Sequence, residues 1–246
     1  MLTDLPSLPL IVAFFLAAAL YASVGHGGAS AYLAVMGLAG MAPVAMKPVA
    51  LTLNIAVSLL ALVMYARAGY FLGRLFWPLA AASVPAAFIG GWLQSPDPVF
   101  KLILAAALIF GAWRLAFGDK ADAMAVREPR LPAILLLGVA LGFLSGLIGI
   151  GGGIFLTPLL ILCRWTPAKP AAAVSAAFIL ANSLAGLAGF LVKGGTIPAL
   201  AWLLLPAVMA GGWLGSSWGS RQADSPALRR SLAAVLLVAA LKFVTI

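Results

Sequence analysis

Residues 142–160, GFLSGLIGIGGGIFLTPLL, are apolar almost throughout, yet Gly149, Gly151, Gly152 and Gly153 fall together at their centre. A glycine inside a helix costs about 1 kcal/mol relative to alanine, so this cluster predicts a break. Lipid cannot satisfy the backbone amides and carbonyls that a break releases. Such a break persists only where protein, water or a ligand meets those groups. The stretch therefore constrains the fold and marks the first place to look for a binding site.

The flanking sequence identifies the solvent. The chain is 64% hydrophobic and 9% charged, where soluble domains carry about 25% charged residues. Several apolar runs approach the ~20 residues a helix needs to cross ~30 Å of hydrocarbon. The alternating pattern of barrel strands is absent from them. The fold class expected is all-α: a polytopic integral membrane helical protein with the bilayer as its partner. A net charge of +9 raises the question of nucleic acid. The Lys and Arg residues stand in short loops, singly except for Arg229-Arg230, as orientation signals do, without the basic cluster that binds nucleic acid. No Lys or Arg precedes the first apolar run in MLTDLPSLPLIVAFF, whereas a cleaved signal peptide carries a basic start. That run is expected to be a retained helix. The lone Cys163 and lone His26 leave no multi-cysteine or His-rich metal site, and no metal or cofactor is expected. GIGGG lacks the Gly-Lys-Ser/Thr of a P-loop.

Along the chain, apolar runs at 8–24 and 30–41 flank VGHGGAS (24–30). Further runs cover 47–64, 75–93 and 99–117, and the polar stretch GDKADAMAVREPR (118–130) follows. The plan then repeats: 131–148, the glycine break, 154–163, 169–192, 197–218 and 227–245. Gly25-His26-Gly27-Gly28 aligns with Gly149-Ile150-Gly151-Gly152, Lys47-Pro48 with Lys169-Pro170, and VPAAFIGGWLQS (84–95) with LPAVMAGGWLGS (205–216). The expected units are a first repeat at 1–117, a linker at 118–130 and a second repeat at 131–246. Interrupted helices at corresponding places of two repeats point to the binding site of a secondary transporter.

Charge selects the topology. If each broken pair makes one crossing, the halves are parallel and the basic residues split 8 to 7 between the two sides. If each pair turns back as a hairpin, the halves are inverted and the split is 11 to 4, with Lys47, Lys101, Lys193 and Lys242 in the minority. The positive-inside rule favours the second. It predicts two inverted repeats, each a glycine-broken hairpin followed by three transmembrane helices. The linker is then cytoplasmic and both termini lie outside a cell (inner) membrane.

The glycine turns suit an anion. Unbonded N–H groups and the macrodipole at a helix start bind negative charge, and glycine lets a ligand approach the backbone. The candidate substrate-binding residues are Ser23, Gly25, His26, Gly27, Gly28 and Ser30 in the first half and Ser145, Gly149, Gly151, Gly152, Gly153 and Thr157 in the second. Asn54 and Asn182 join them as polar groups within apolar runs. His26 is either a proton acceptor or a hydrogen-bond donor to an anion, or simply a satisfied polar residue at a break. Lys47 and Lys169 either snorkel to the interface or draw anions in. Trp92 and Trp213 are expected to be interfacial anchors. The four-residue spacing of Gly138, Gly142 and Gly146, and of Gly211, Gly215 and Gly219, reads as helix packing. On that split, Gly152→Leu should harm transport more than Gly215→Ala. No acidic residue lies mid-run, so a buried carboxylate relay is not expected.

GLIGIGGGIFLTPLL, its altered copy in the first half and the Lys-Pro helix start after each resemble the sulfite exporter TauE/SafE family. The resemblance covers essentially the whole chain. The first copy differs in having Ala29 where the third glycine would stand and no counterpart of Pro158. The resemblance implies a secondary transporter, not an enzyme, moving small sulfur-containing anions such as sulfite or organosulfonates outward. A coupling proton or sodium ion is left open. The rival readings are a non-transporting membrane scaffold subunit and a membrane-embedded enzyme.

Overall fold

A computed structural model describes residues 6–93, 97–117 and 126–221, together with 237, 240 and 241. Among these the chain is helical, without strands. The helices are α1 (Leu8–Ala22), α2 (Ala29–Leu38), α3 (Pro43–Arg67), α4 (Gly73–Trp92), α5 (Asp97–Phe117), α6 (Leu131–Ile148), α7 (Gly153–Leu162), α8 (Ala168–Val192) and α9 (Ala199–Arg221). The helix expected at 227–245, apart from those three residues, and positions 118–125 of the linker lie outside the described residues. Five helices, α3, α4, α6, α8 and α9, are long and apolar enough to cross a membrane. Their outward faces are apolar too, with Leu136 73% and Trp77 68% exposed, as lipid contact requires. At 10 residues each, α2 and α7 extend only about 15 Å, half of a bilayer core.

Turn chemistry explains the short helices. Gly28 and Gly152 precede α2 and α7 in the left-handed conformation, at φ +95° and +79°, which L side chains rarely adopt. Gly149 caps the end of α6 at φ +78° and Gly25 follows the end of α1 at φ +77°. The ends of α2 and α7 match as well. Met41 N–H donates to Met36 O at 3.0 Å and Trp165 N–H to Leu160 O at 2.9 Å, around Gly40 at φ +78° and Arg164 at φ +59°. Counterparts here stand 124 apart (40 and 164, 41 and 165). At the ends of α3 and α8 the spacing is 125 (Gly69 and Gly194, both at positive φ). Arg164 is the non-glycine residue among these left-handed positions. Arg164→Gly is expected to raise stability by roughly 0.5–1 kcal/mol, measured as thermal unfolding in detergent.

This register corrects two sequence matches. Lys47 corresponds to Ala172, not Lys169. A Cβ on Gly149 would crowd Lys47, and one on Gly25 would crowd Ala172. Likewise Gly90 packs on the carbonyl of Phe143 and Gly215 on that of Ala19, so Gly215 is the counterpart of Gly90. The GGWL match is one helical turn out. Small residues recurring every four positions leave a helix pattern nearly unchanged by a one-turn slip. Trp92 closes α4, whereas Trp213 stands eight residues before the end of α9.

Packing runs between the halves in matched pairs. Helix α4 packs on α6 and α8, and its counterpart α9 packs on α1 and α3. The glycine stripes form these seams: Gly138, Gly142 and Gly146 lie against Leu79, Ser83 and Ala87, while Gly211, Gly215 and Gly219 lie against Phe15, Ala19 and Ser23. Both registers rise together, so the paired helices run parallel. At the centre, α3 crosses α8. Lys47 meets Phe190, Leu51 meets Gly186 and Asn54 meets Ser183. This register falls, so α3 and α8 run antiparallel.

Contacts also sort the charges. At one end Arg127 N–H donates to Arg164 O at 2.7 Å, Arg74 lies 3.7 Å from Glu128 and Lys169 Nζ stands 5.3 Å from the Tyr70 ring centre. At the other end Lys193 Nζ lies 4.3 Å from the ring centre of Trp92. There Lys47 Nζ donates to the carbonyls of Gly90, Gly91 and Leu93 at 3.3, 3.0 and 3.4 Å. Lys47 thus caps the negative end of α4, and Lys169 reaches Ser220 O at the end of α9, at 3.5 Å.

Candidate functional site

The two glycine turns meet where α3 crosses α8, on one side chain. Asn54 is fully buried. Its Oδ1 accepts the N–H of Ala29, the first residue of α2, at 3.1 Å. Its Nδ2 donates to Ile150 O in the second turn at 3.2 Å and to Ser183 Oγ at 3.4 Å. A Cβ on Gly27 would overlap Asn54 Oδ1, and one on Gly151 would overlap its Nδ2. The lack of side chains at those two positions is therefore what lets a single amide touch both turns. Ile179, 125 residues on, is the counterpart of Asn54 and packs against Gly27, Gly151 and Gly153. One arm of the crossing carries an amide and the other a hydrocarbon.

This difference makes the two helix starts chemically unequal. A helix start leaves its first N–H groups without intrahelical acceptors. Asn54 Oδ1 occupies that role at α2. At α7 the equivalent side chain is Ile179, which has no acceptor to offer the N–H groups of Gly153 and Ile154. The starts of α2 and α7 thus differ in the side chain that faces them, an amide at one and a hydrocarbon at the other.

His26 stands beside the start of α7. His26 is 8% exposed, and a Cβ on Gly153 would lie 3.4 Å from its Cδ2. Its Nε2 is 2.8 Å from Thr157 Oγ1 on α7, and Thr157 Oγ1 is 2.7 Å from Ser175 Oγ on α8. The Tyr21 ring lies on another side, with centres 6.1 Å apart. A titratable ring from the first half is thus tied to two hydroxyls of the second.

The remaining candidates divide. Gly28 packs on Tyr32 and Gly152 on Phe178, which shapes the turns. Ser30 is buried in the first turn of α2. Ser145 Oγ and Asn182 Oδ1 are buried without a protein hydrogen-bond partner, while Asn182 Nδ2 donates to Phe178 O at 2.8 Å. Ser23 is bonded within the protein: its hydroxyl donates to Leu20 O at 2.7 Å and its carbonyl accepts from Tyr65 Oη at 2.6 Å. Ser175, Ser183 and Ile179 are not among the candidates the sequence singled out. The repeat spacing was the signal that pairs Ile179 with Asn54.

Two half-length helices whose starts meet at Asn54, inside a bundle of membrane-length helices, define a polytopic helical membrane protein. The chain belongs to the TauE/SafE family: the profile described as Sulfite exporter TauE/SafE matches residues 10–243. It is 37% identical over 244 residues to the probable membrane transporter protein y4hK of Sinorhizobium fredii, covering 97% of this chain and 98% of that one. Shorter matches join it to probable membrane transporter proteins of Methanocaldococcus jannaschii (39% over 93 residues, 38% of this chain and 34% of that one) and Bacillus subtilis (33% over 86 residues, 35% and 30%). No solved structure matches the chain. The protein is a membrane transporter and not an enzyme.

Proposed function

We propose that this transporter moves small sulfur-containing anions, sulfite or organosulfonates, outward across the cell (inner) membrane by alternating access. The anion binds between the glycine turns near the midplane, at the start of α7. The observation that supports this reading is the asymmetric Asn54–Ile179 crossing, in which Asn54 accepts the Ala29 N–H at the start of α2 and Ile179 has no acceptor to offer at the start of α7. The TauE/SafE profile bears on the substrate through its description alone.

The halves 1–117 and 131–246 act as inverted repeats joined by a cytoplasmic linker at 118–130, with both termini outside. Repeats related by an axis along the membrane normal keep equivalent helices parallel, whereas an axis in the membrane plane reverses them. The antiparallel register of α3 and α8 supports the second. So does the gathering of Arg74, Arg127, Arg164 and Lys169 at one end. A reporter fused after Ile246 is expected to be active outside; a cytoplasmic signal would overturn the topology.

Burial of both turns fits the occluded state of such a cycle. Family membership sets aside the scaffold and enzyme readings. The test is flux in proteoliposomes with labelled sulfite, methanesulfonate and sulfate under proton and sodium gradients. The expected result is movement of sulfite or methanesulfonate in preference to sulfate. No flux of any of the three would overturn the reading.

A further inference from the structure

We propose that His26 carries one proton per transport cycle and that protonation at its Nδ1 is coupled to anion binding at the start of α7. This deepens the transport reading and rests on it. Three observations converge. The first is the hydrogen-bond chain. Thr157 has one hydroxyl proton, and with that proton donated to Ser175 Oγ at 2.7 Å, Thr157 Oγ1 accepts at 2.8 Å from His26 Nε2–H. Nε2 then keeps its hydrogen, and Nδ1 is the nitrogen that gains or loses a proton. An imidazole does so near neutral pH, at about 6.5 when unperturbed.

The second is the place of the ring. It lies beside Gly153, the first residue of α7, where first-turn N–H groups favour negative charge. An anion held there and a proton on the adjacent imidazole attract one another. By linkage each raises the other's affinity by the same factor. Proton and monoanion then move together, without net charge. The cycle runs outward whenever the internal excess of anion exceeds the opposing proton gradient. The proton enters Nδ1 from water on the loading side and leaves to water on the other.

The third is singularity. The counterparts of His26, Thr157 and Ser175 under the repeat spacing are Ile150, Leu33 and Ala50, all apolar. The chain exists once, which sets one proton per cycle. It also spans the two halves, so it reports on the motion that alternates access.

The helices packed around it carry few ionisable side chains. Tyr21 of α1 stands beside the ring, and Tyr32 of α2 stacks on Phe14 at 5.0 Å. On α3, Tyr65 bonds Ser23 O and Lys47 caps α4. Lys169 of α8 reaches Ser220 O and Tyr70. Helix α6 has no ionisable side chain, and Arg164 follows the far end of α7.

The test uses the full chain in proteoliposomes with membrane potential clamped at zero, and methanesulfonate as probe, because its charge does not vary with pH. A one-unit pH difference is expected to drive it to roughly a tenfold concentration ratio, the value for one coupled proton, with no need for sodium. His26→Gln should flow more slowly, and its residual exchange should lose the pH dependence of the wild type. Thr157→Val, which keeps the imidazole but removes its anchor, should shift the pH profile instead of flattening it. A measurement on the wild type alone guards against misfolded variants: methanesulfonate added to weakly buffered, detergent-solubilised protein should draw protons from solution. Sodium-driven accumulation, a pH-independent wild type, unchanged pH dependence in His26→Gln, or no proton uptake would each overturn the proposal. A wild type that moves none of the panel anions would instead overturn the transport reading, and this one with it.

Discussion

Asn54→Ile is expected to destabilise the protein by about 2–6 kcal/mol and to reduce transport below about a tenth of wild type. Its side chain is the acceptor for Ala29 N–H and the donor to Ile150 O. Each buried backbone group left without a partner costs about 1–3 kcal/mol. Shape is not the cause, because Ile179 already fits the equivalent surface against Gly27 and Gly151. The double variant Asn54→Ile/Ile179→Asn separates the structural role of the amide from its functional one. Under the repeat spacing, an amide at 179 faces the N–H of Gly153 and the carbonyl of His26, the counterparts of Ala29 and Ile150. Thermal unfolding in detergent should therefore recover most of the lost stability. Transport should not recover, because the amide oxygen then occupies the start of α7 where the anion is proposed to bind. A double variant that regains stability and transport together would remove the case for an anion site at α7.

The parts of this arrangement that were legible in the sequence are those whose residue type is itself the signal. Gly25, Gly28, Gly149 and Gly152 were visible as turns because a left-handed backbone within an apolar run has almost no other occupant. The pairing of the two turns followed from their shared spacing. His26 stood out because a lone imidazole sat inside one of them. The role of Asn54 was not legible. Its partners are a backbone N–H 25 residues away and a backbone carbonyl 96 residues away, and backbone groups leave no mark in sequence. Ile179 matters only as the apolar counterpart of an amide, which the repeat register reveals and its own identity does not. That register was misread in α4 and α9 because a one-turn slip preserves a small-residue stripe. The bond of Ser23 to Leu20 O was not legible either, because a hydroxyl at a helix end bonds the preceding turn as readily as a substrate.

Glycine substitutions give the second large effect, and they revise the expected division between site and packing glycines. Gly215→Ala cannot serve as a mild control, since a Cβ there would overlap the carbonyl of Ala19 across the α1–α9 seam. Gly40 is the proper control. It has φ +78° and nothing within 4 Å of an added Cβ, so Gly40→Ala meets only the left-handed strain, about 1–2 kcal/mol. Gly151 has nearly the same φ, +79°, but its Cβ would overlap Asn54 Nδ2 and lie 2.8 Å from Ile179 Cγ2 and 3.2 Å from Ser183 Oγ. Gly151→Ala therefore adds to the same backbone strain an overlap that pushes the amide off Ile150 O, an expected total of about 2–5 kcal/mol. Because the neighbour that must move is the bridge between the turns, Gly151→Ala should also lose transport, while Gly40→Ala keeps most of it. Flux and thermal unfolding measured on both variants decide the matter. Equal losses in the two would mean that backbone strain alone governs these positions, and that contact with Asn54 contributes nothing.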